Sequence, residues 1–308
     1  MPKYSIQEIS ETDQNLTGQE ISRYSRHLLL PEIGLAGQKK LKNSRVLLVG
    51  AGALGSVLAL YLAAAGVGTL GLVDFDLIEE NNLQRQIIHS VADIGRKKIA
   101  SAKESVSALN PLIRVLTFDF KLSSQNALDL FKEFDVIVDG SDNFPARYLI
   151  NDACALLGKP DVYGAVYRFD GLVTVFDATH GACLRCLFPV PPGPDANSSC
   201  GEGGVLGALP GIIGSIQACE TVKLLLGSSH TLANRLLSIN AWRMRFHETA
   251  LRKDALCPLC GEHPTVHAII DYELFCGLKK NTLNNSNGVL DEADSDSISP
   301  RELKRLLD

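Results

Sequence analysis

Three groups of residues in this chain have types and spacings suited to chemistry. The first is Gly50-Ala51-Gly52-Ala53-Leu54-Gly55, a G-x-G-x-x-G run between an apolar stretch, Val46 to Val49, and a helical pattern. Glycines there let the backbone turn tightly and approach phosphate oxygens, while the helix start offers unpaired N–H groups and partial positive charge. Asp74 follows about 20 residues on, at the end of the next apolar run, where a carboxylate accepts bonds from ribose hydroxyls. Taken alone, this fingerprint favours NAD over ATP, and a glycine-rich turn in an ordinary α/β protein has the same look.

The second group changes that balance. Asn81-Asn82-Leu83-Gln84-Arg85-Gln86, Lys98 and Asp139-Gly140-Ser141-Asp142-Asn143 supply polar groups. Several stand just past the carboxyl ends of strand-like runs, the edge where open α/β sheets bind ligands. Arg85 and Lys98 beside phosphates would offset charge on phosphoryl oxygens, and Asp142 would hold magnesium. Hydride transfer needs none of these. The plain alternative is that Arg85 and Lys98 are solvated surface charges, Lys98 being flanked by Arg96 and Lys97.

The third group is sulfur. Of 8 cysteines, four form the pairs Cys183-Leu184-Arg185-Cys186 and Cys257-Pro258-Leu259-Cys260. Two such knuckles complete a tetrahedral zinc site, and four sulfur ligands leave no open position, so the role is structural. Four buried thiols are the alternative, and His263 is a spare ligand. Cys200 stands in a Pro/Gly/Ser-rich segment, where an accessible thiol suits a nucleophile. Cys154, Cys219 and Cys276 have apolar neighbours and read as packed thiols.

These groups need elements to position them. Thr17 to Leu30 reads as a helix, with Thr17 as cap, Glu20 at the capping-box offset, and Arg23 and Arg26 along it. Strand-like runs are Val46–Val49, Thr69–Asp74, Arg114–Phe118, Val136–Asp139, Asp161–Ala165 and Leu172–Phe176. Helical runs are Gly55–Ala65, Ile99–Leu109, Arg147–Leu157 and Ile212–Leu226. Strands alternating with helices predict an α/β fold with a parallel, doubly wound sheet. Phe188 to Gly207 reads as irregular, residues 1–19 as a flexible N-terminus, and 277–308 as a polar linker whose end, from Ser299-Pro300, reads as a capped helix start.

The chain has 308 residues and a net charge of −5, which argues against a bulk electrostatic grip on nucleic acid or anionic membrane. The start lacks the basic and apolar pattern of a secretory signal, so reduced thiols and a cytoplasmic location are expected. Val46 to Val73 is uncharged and long enough to cross a bilayer, but its glycines fit a buried strand, helix and strand better. Val205–Leu226 carries Pro210, Gln217, Glu220 and Lys223 and is no membrane span.

Assembled, these residues resemble the MoeB/ThiF family of ubiquitin-activating-enzyme-like adenylyltransferases, nearest its rhodanese-fused branch. The resemblance covers roughly Glu20 to Cys276. It rests on Arg23-Tyr24-Ser25-Arg26, the glycine loop, Asp74-Phe75-Asp76, Asn82 to Gln86, Lys98, Asp142-Asn143 and both cysteine pairs in order. It implies a Rossmann-like, mostly parallel sheet with a zinc-stapled antiparallel C-terminal portion. It divides residues 20–276 into a nucleotide-binding half, about 44–180, and a carrier-binding and zinc half, about 181–276.

The resemblance also implies roles. Gly50, Gly52, Ala53, Gly55, Asp74 and Asp76 belong to the nucleotide contact, with Asn82, Arg85, Lys98 and Asn143 around the phosphates and Asp142 serving Mg2+. Arg26 reaches the active site of the neighbouring subunit of a homodimer. Cys183, Cys186, Cys257 and Cys260 bind Zn2+. Ala53 departs from the glycine common at its position. Cys200 stands where the sulfurtransferase-fused branch keeps a cysteine that links covalently to the carrier, and Ile298 to Asp308 resembles the opening of a rhodanese domain.

The implied reaction is ATP-dependent adenylation of the C-terminal glycine carboxylate of a small ubiquitin-like sulfur carrier, such as the molybdopterin synthase small subunit. A thiocarboxylate then forms, with a Cys200 thioester as one route and a cysteine desulfurase or rhodanese as sulfur donor. Carriers for thiamine synthesis or tRNA thiolation fit the same residues. An NAD-dependent dehydrogenase and a non-catalytic carrier-binding scaffold are the competing classes.

Overall fold

The computed structural model describes residues 15–192 and 203–277. The readings of Cys200, of residues 1–14, of the polar linker and of the rhodanese-like ending lie outside the described residues.

The strands are β1 (Arg45–Val49), β2 (Thr69–Val73), β3 (Arg114–Phe118), β4 (Val136–Asp139), β5 (Asp161–Tyr167), β6 (Asp170–Phe176), β7 (Arg235–Asn240) and β8 (Arg245–Ala250). They form one sheet in the order β3-β2-β1-β4-β5-β6-β7-β8. Pairing is parallel from β3 to β5 and antiparallel from β5 to β8. The expected architecture, mostly parallel with an antiparallel C-terminal portion, is therefore the observed one. The single sheet runs through both halves of the chain.

Register places the site. Val49 pairs with Val73 and with Asp139, and Val73 pairs with Phe118. Strands β1 to β4 thus finish level, and the loops that leave them share one edge. Their apolar runs follow from burial on both faces, as in β2, where every residue is buried.

Helices cover both faces. On one lie α4 (Ala53–Ala65), α5 (Lys98–Leu109) and the long α9 (Leu209–Leu226); on the other lie α6 (Ala127–Phe131) and α7 (Phe144–Leu157). The α9 polar residues fasten it to the sheet. Gln217 Nε2 donates to the carbonyls of Asp139 and Val162, and Glu220 accepts from the Leu232 N–H. This apolar helix packs against α4, β5 and β6.

Several expectations change. The helix from Thr17 begins with the expected capping box, but it breaks into α1 (Gly18–Arg23) and α2 (Ser25–Leu28). At the break Tyr24 turns inward, 4% exposed, and its hydroxyl accepts from Asn110 Nδ2 at 2.9 Å. Helix α3 (Gly34–Asn43) and strands β7 and β8 have no counterpart in the ranges read above. Strand β8 is mostly exposed and polar, so it lacks the apolar alternation that marks a strand. Cys154 and Cys276 are buried, but Cys219 is exposed on α9. Its apolar sequence neighbours lie around the helix rather than against the thiol.

Candidate active site

The glycine loop begins where β1 ends. Gly50 adopts φ +96, and a side chain there would meet the Gly140 carbonyl oxygen at 2.9 Å. A residue without a Cβ is needed for both reasons. Gly55 is similar: its Cβ would lie 2.0 Å from the Gly50 carbonyl oxygen. Ala53 is the first residue of α4, in helical backbone, where a methyl group is tolerated. No side chain caps that helix, so its first N–H groups are left for an anion.

Asp74 leaves β2 and stitches the loop. Its Oδ2 accepts from the Ala51 N–H and its Oδ1 from the Asp76 N–H, each at 2.8 Å. Lys98 opens α5 and is only 7% exposed, with Nζ 2.7 Å from Asp76 Oδ2. The surface-charge alternative for Lys98 therefore fails. A buried ammonium acts more strongly on a phosphate than a solvated one, because less water screens it.

One cavity of about 920 Å³ collects these groups. Gly50, Gly52, Ala53, Asp74, Asp76, Arg85, Lys98, Asp142 and Asn143 line it. Arg85 is held by an Nη1 bond to the Asn81 carbonyl at 2.9 Å. Asp142 is exposed to solvent beside Asn143. Asn143 caps α7, its Oδ1 accepting from the Ala146 N–H at 3.0 Å, and its amide donates to Asp142 Oδ1 at 3.3 Å.

Other residues stand apart from the cavity. Asn82 is buried in its own turn: its Oδ1 accepts from the Glu79 N–H and its amide donates to Asn81. Gly55 packs behind the loop. Arg26 is exposed on α2 and is not among the cavity's lining residues.

Three residues given no role of their own in the sequence also matter, Arg147 lying outside the motifs and Gln86 and Asp139 within them. Arg147 lines the cavity, 9% exposed, with its guanidinium 5.4 Å from the ring centres of both Phe144 and Tyr163. It lies one turn beyond the Asn143 cap, so placing the helix start at Phe144 would have drawn attention to it. Gln86 is buried in the lining, and its Oε1 has no partner among the described residues. Asp139 is fully buried beneath the loop, its Oδ1 accepting from the Ser141 N–H at 2.7 Å. Burial raises its pKa, against the pull of Arg147 and the Ser141 hydrogen bonds.

The four paired cysteines converge. Sγ separations are 3.9 Å for Cys183–Cys186, 3.6 Å for Cys183–Cys257, 3.4 Å for Cys186–Cys260 and 3.5 Å for Cys183–Cys260. All four sulfurs lie within 4.8 Å of one another. A tetrahedron of thiolates around zinc has edges of about 3.8 Å, so the donor set and its spacing fit that ion. The Asp254 N–H points at Cys186 Sγ from 3.4 Å, and such a donor steadies a thiolate ligand. His263 is exposed and outside the cluster.

The first knuckle is locked to α7. Arg185 lies between the two cysteines on the short helix α8 (Leu184–Leu187) and is fully buried. It donates to both Asp152 oxygens, at 2.9 and 2.8 Å, between the rings of Tyr148 and Phe275. Tyr272 adds a third bond to Asp152, at 2.8 Å.

Comparisons with known proteins agree with this geometry. The chain is 47% identical over 308 residues to the probable adenylyltransferase/sulfurtransferase MoeZ of Mycobacterium tuberculosis, covering 99% of this chain and 76% of that protein. It is 47% identical over 268 residues to the sulfur carrier protein adenylyltransferase of Thermus thermophilus, covering 85% and 99%. Against adenylyltransferase and sulfurtransferase MOCS3 of Aedes aegypti it is 44% identical over 292 residues, covering 94% and 66%. Among solved structures, E. coli MccB shares the fold at a TM-score of 0.70 and 22% identity, covering 81% of this chain and 76% of that one. The ThiF family model matches residues 24–259. That span holds the glycine loop, Asp74, Lys98, Asp142 and the first cysteine pair, and on this match and these relatives the chain belongs to the ThiF family.

Proposed function

We propose that this chain is an adenylyltransferase that uses MgATP to activate the C-terminal carboxylate of a small sulfur-carrier protein. The observation that carries the reading is the convergence on one cavity of the uncapped α4 N-terminus, the buried Lys98, Arg85 and Asp142. Relatives named as adenylyltransferases support it. A dehydrogenase has no use for these cations.

In this reading a carrier carboxylate oxygen attacks the α-phosphorus of ATP. The bond to the bridging oxygen breaks, pyrophosphate leaves with its electron pair, and an acyl-adenylate remains. A carboxylate is already a nucleophile at neutral pH, so no general base is required. The protein's part is positioning and charge neutralisation. The glycine-loop N–H groups and Lys98 hold phosphate oxygens, with Arg85 at the triphosphate. Lys98 exchanges its Asp76 partner for phosphate. Asp142 would hold Mg2+, which takes carboxylate and phosphate oxygens readily and withdraws charge from them.

Arg26, exposed on α2, acts in the cavity of a second copy in a homodimer. Cys183, Cys186, Cys257 and Cys260 hold a structural Zn2+. The Cys200 thiolate takes the acyl group from the acyl-adenylate with AMP as leaving group, and a desulfurase or rhodanese is the source of sulfur, in a reducing cytoplasm.

ATP–pyrophosphate exchange with a purified Gly-Gly-ended sulfur carrier tests the central step. Wild type is expected to exchange only with carrier present, and Asp142→Ala to lose at least 100-fold of that rate, the scale of a removed charge-stabilising group. Full exchange in Asp142→Ala would remove its assigned role. Carrier-independent or absent exchange in wild type would remove the reaction.

A further inference from the structure

The cavity has a wall that the family match does not reach. The match ends at residue 259, yet Ile269, Ile270, Asp271, Tyr272 and Glu273 line the cavity. This segment is tied down at several points. The Ser124 hydroxyl donates to the Ile270 carbonyl, and Lys121 pairs with Glu273. Asp271 caps the short helix α10 (Tyr272–Phe275). The Tyr272 hydroxyl reaches Asp152, joining the segment to Arg185 of the first cysteine knuckle.

The sheet says what this wall faces. Strand ends β4, β1, β2 and β3 lie level and side by side. They carry in that order Asp142, the glycine loop, Asp74 and the Phe120–Leu122 turn. Neighbouring strands are about 4.8 Å apart. A nucleotide with phosphates at the glycine loop and ribose at Asp74 must carry its base one strand further, over the end of β3. There Phe120 and Leu122 line the cavity, and Ile269 and Ile270 pack with them on the same core. Apolar side chains suit the flat faces of a purine.

We propose that Ile269 and Ile270, beyond the family's matched span, form the outer wall of a nucleobase subsite. The proposal rests on the reading of the cavity as an ATP site. Its consequence is that the segment leaving the second cysteine knuckle helps set nucleotide affinity. Base contacts and phosphate contacts are then separable.

Calorimetric titration of the full chain with ATP and with inorganic triphosphate makes the separation. Wild type is expected to bind ATP more tightly than triphosphate. The Ile269→Ser/Ile270→Ser variant is expected to lose about tenfold for ATP, as for exposed aliphatic surface, and nothing for triphosphate. Metal content and Tm serve as folding controls. Amide hydrogen exchange on wild type gives a second reading, with ATP expected to slow exchange across residues 269–276. Unchanged ATP affinity in the variant, or unchanged exchange in wild type, overturns the wall. An equal loss for both ligands assigns the residues to general folding and also overturns it. If wild type binds triphosphate but gains nothing from the base, the subsite fails while the phosphate site stands; if it binds neither, the ATP reading fails too.

Discussion

His89 sits beneath the glycine loop, 7% exposed. Its Nε2 is 3.2 Å from the Ala51 carbonyl oxygen and its Nδ1 is 2.9 Å from Ser101 Oγ. A carbonyl only accepts, so Nε2 carries the proton and Nδ1 accepts from the Ser101 hydroxyl. Burial lowers the ring's pKa, which favours the neutral form. The Ala51 peptide is thus held at both ends, by His89 at its oxygen and by Asp74 at its nitrogen. His89→Ala is expected to raise the KM for ATP in exchange assays about fivefold to tenfold, the size of one lost hydrogen bond. His89→Gln, which keeps an N–H donor, should recover most of that; an unaltered KM in His89→Ala would reject the positioning role. Asp161 makes a different prediction. Burial and the neighbouring Asp139 raise its pKa well above the usual carboxylate value. The unfolded chain therefore sheds this proton first, at a pH of about 4. Stability from the neutral carboxyl is complete below that pH and declines as pH rises towards the folded value. Asp161→Asn should show a higher Tm than wild type at pH 8 and a similar Tm at pH 4; the same Tm gap at both would reject the argument. The glycine loop and Asp74 were legible in sequence because their meaning is local. His89 and Asp161 were not, because each acquires its role from residues far away along the chain; Arg147 was missed because the helix was taken to begin at Arg147 rather than at Phe144.

Helix α7 does most of the joining among elements. Its start holds the Asp142–Asn143 turn at the cavity, and its later turns hold the first cysteine knuckle through Asp152, while Asn151 accepts from the Leu184 N–H at 2.7 Å. The Arg185–Asp152 pair is almost wholly removed from solvent, at 2% and 0% side-chain exposure. Removing one partner strands the other charge, which costs about 3–5 kcal/mol. Arg185→Met should lower Tm accordingly in calorimetry, and Arg185→Met/Asp152→Asn should regain part of the loss. A wild-type Tm in the single variant would show that the pair contributes little. Sequence spacing announced the cysteines on either side of Arg185 but not the arginine, since its partners come from α7 and α10. Strand and helix boundaries were mostly visible within a few residues, because apolar runs and terminal glycines mark them. The break at Tyr24 was hidden, as it follows from a contact with Asn110, not from local propensity.

Over the whole molecule, one sheet carries a nucleotide edge at its parallel end and a cysteine-stapled region at its antiparallel end. The staple closes residues 183–186 against 257–260 across a long stretch of chain, so the ion should bind only the folded form and stabilise it. Purified protein is expected to carry one zinc per chain, and Cys257→Ser to lose the metal with a marked drop in Tm; a metal-free wild type with an unaltered Tm would argue for four packed thiols. The α/β class was readable from alternating strand and helix patterns. The antiparallel end was not readable from pattern, because β8 has too little apolar surface. That strand has a further consequence. Among the described residues β8 is the outer strand of the sheet, with Phe246 54% exposed. An open edge of this kind invites edge-to-edge pairing of copies into aggregates, and charged side chains are the usual guard. Arg245 and Glu248 stand along it. Neutralising them would leave the lining of the nucleotide cavity untouched and the strand edge unguarded.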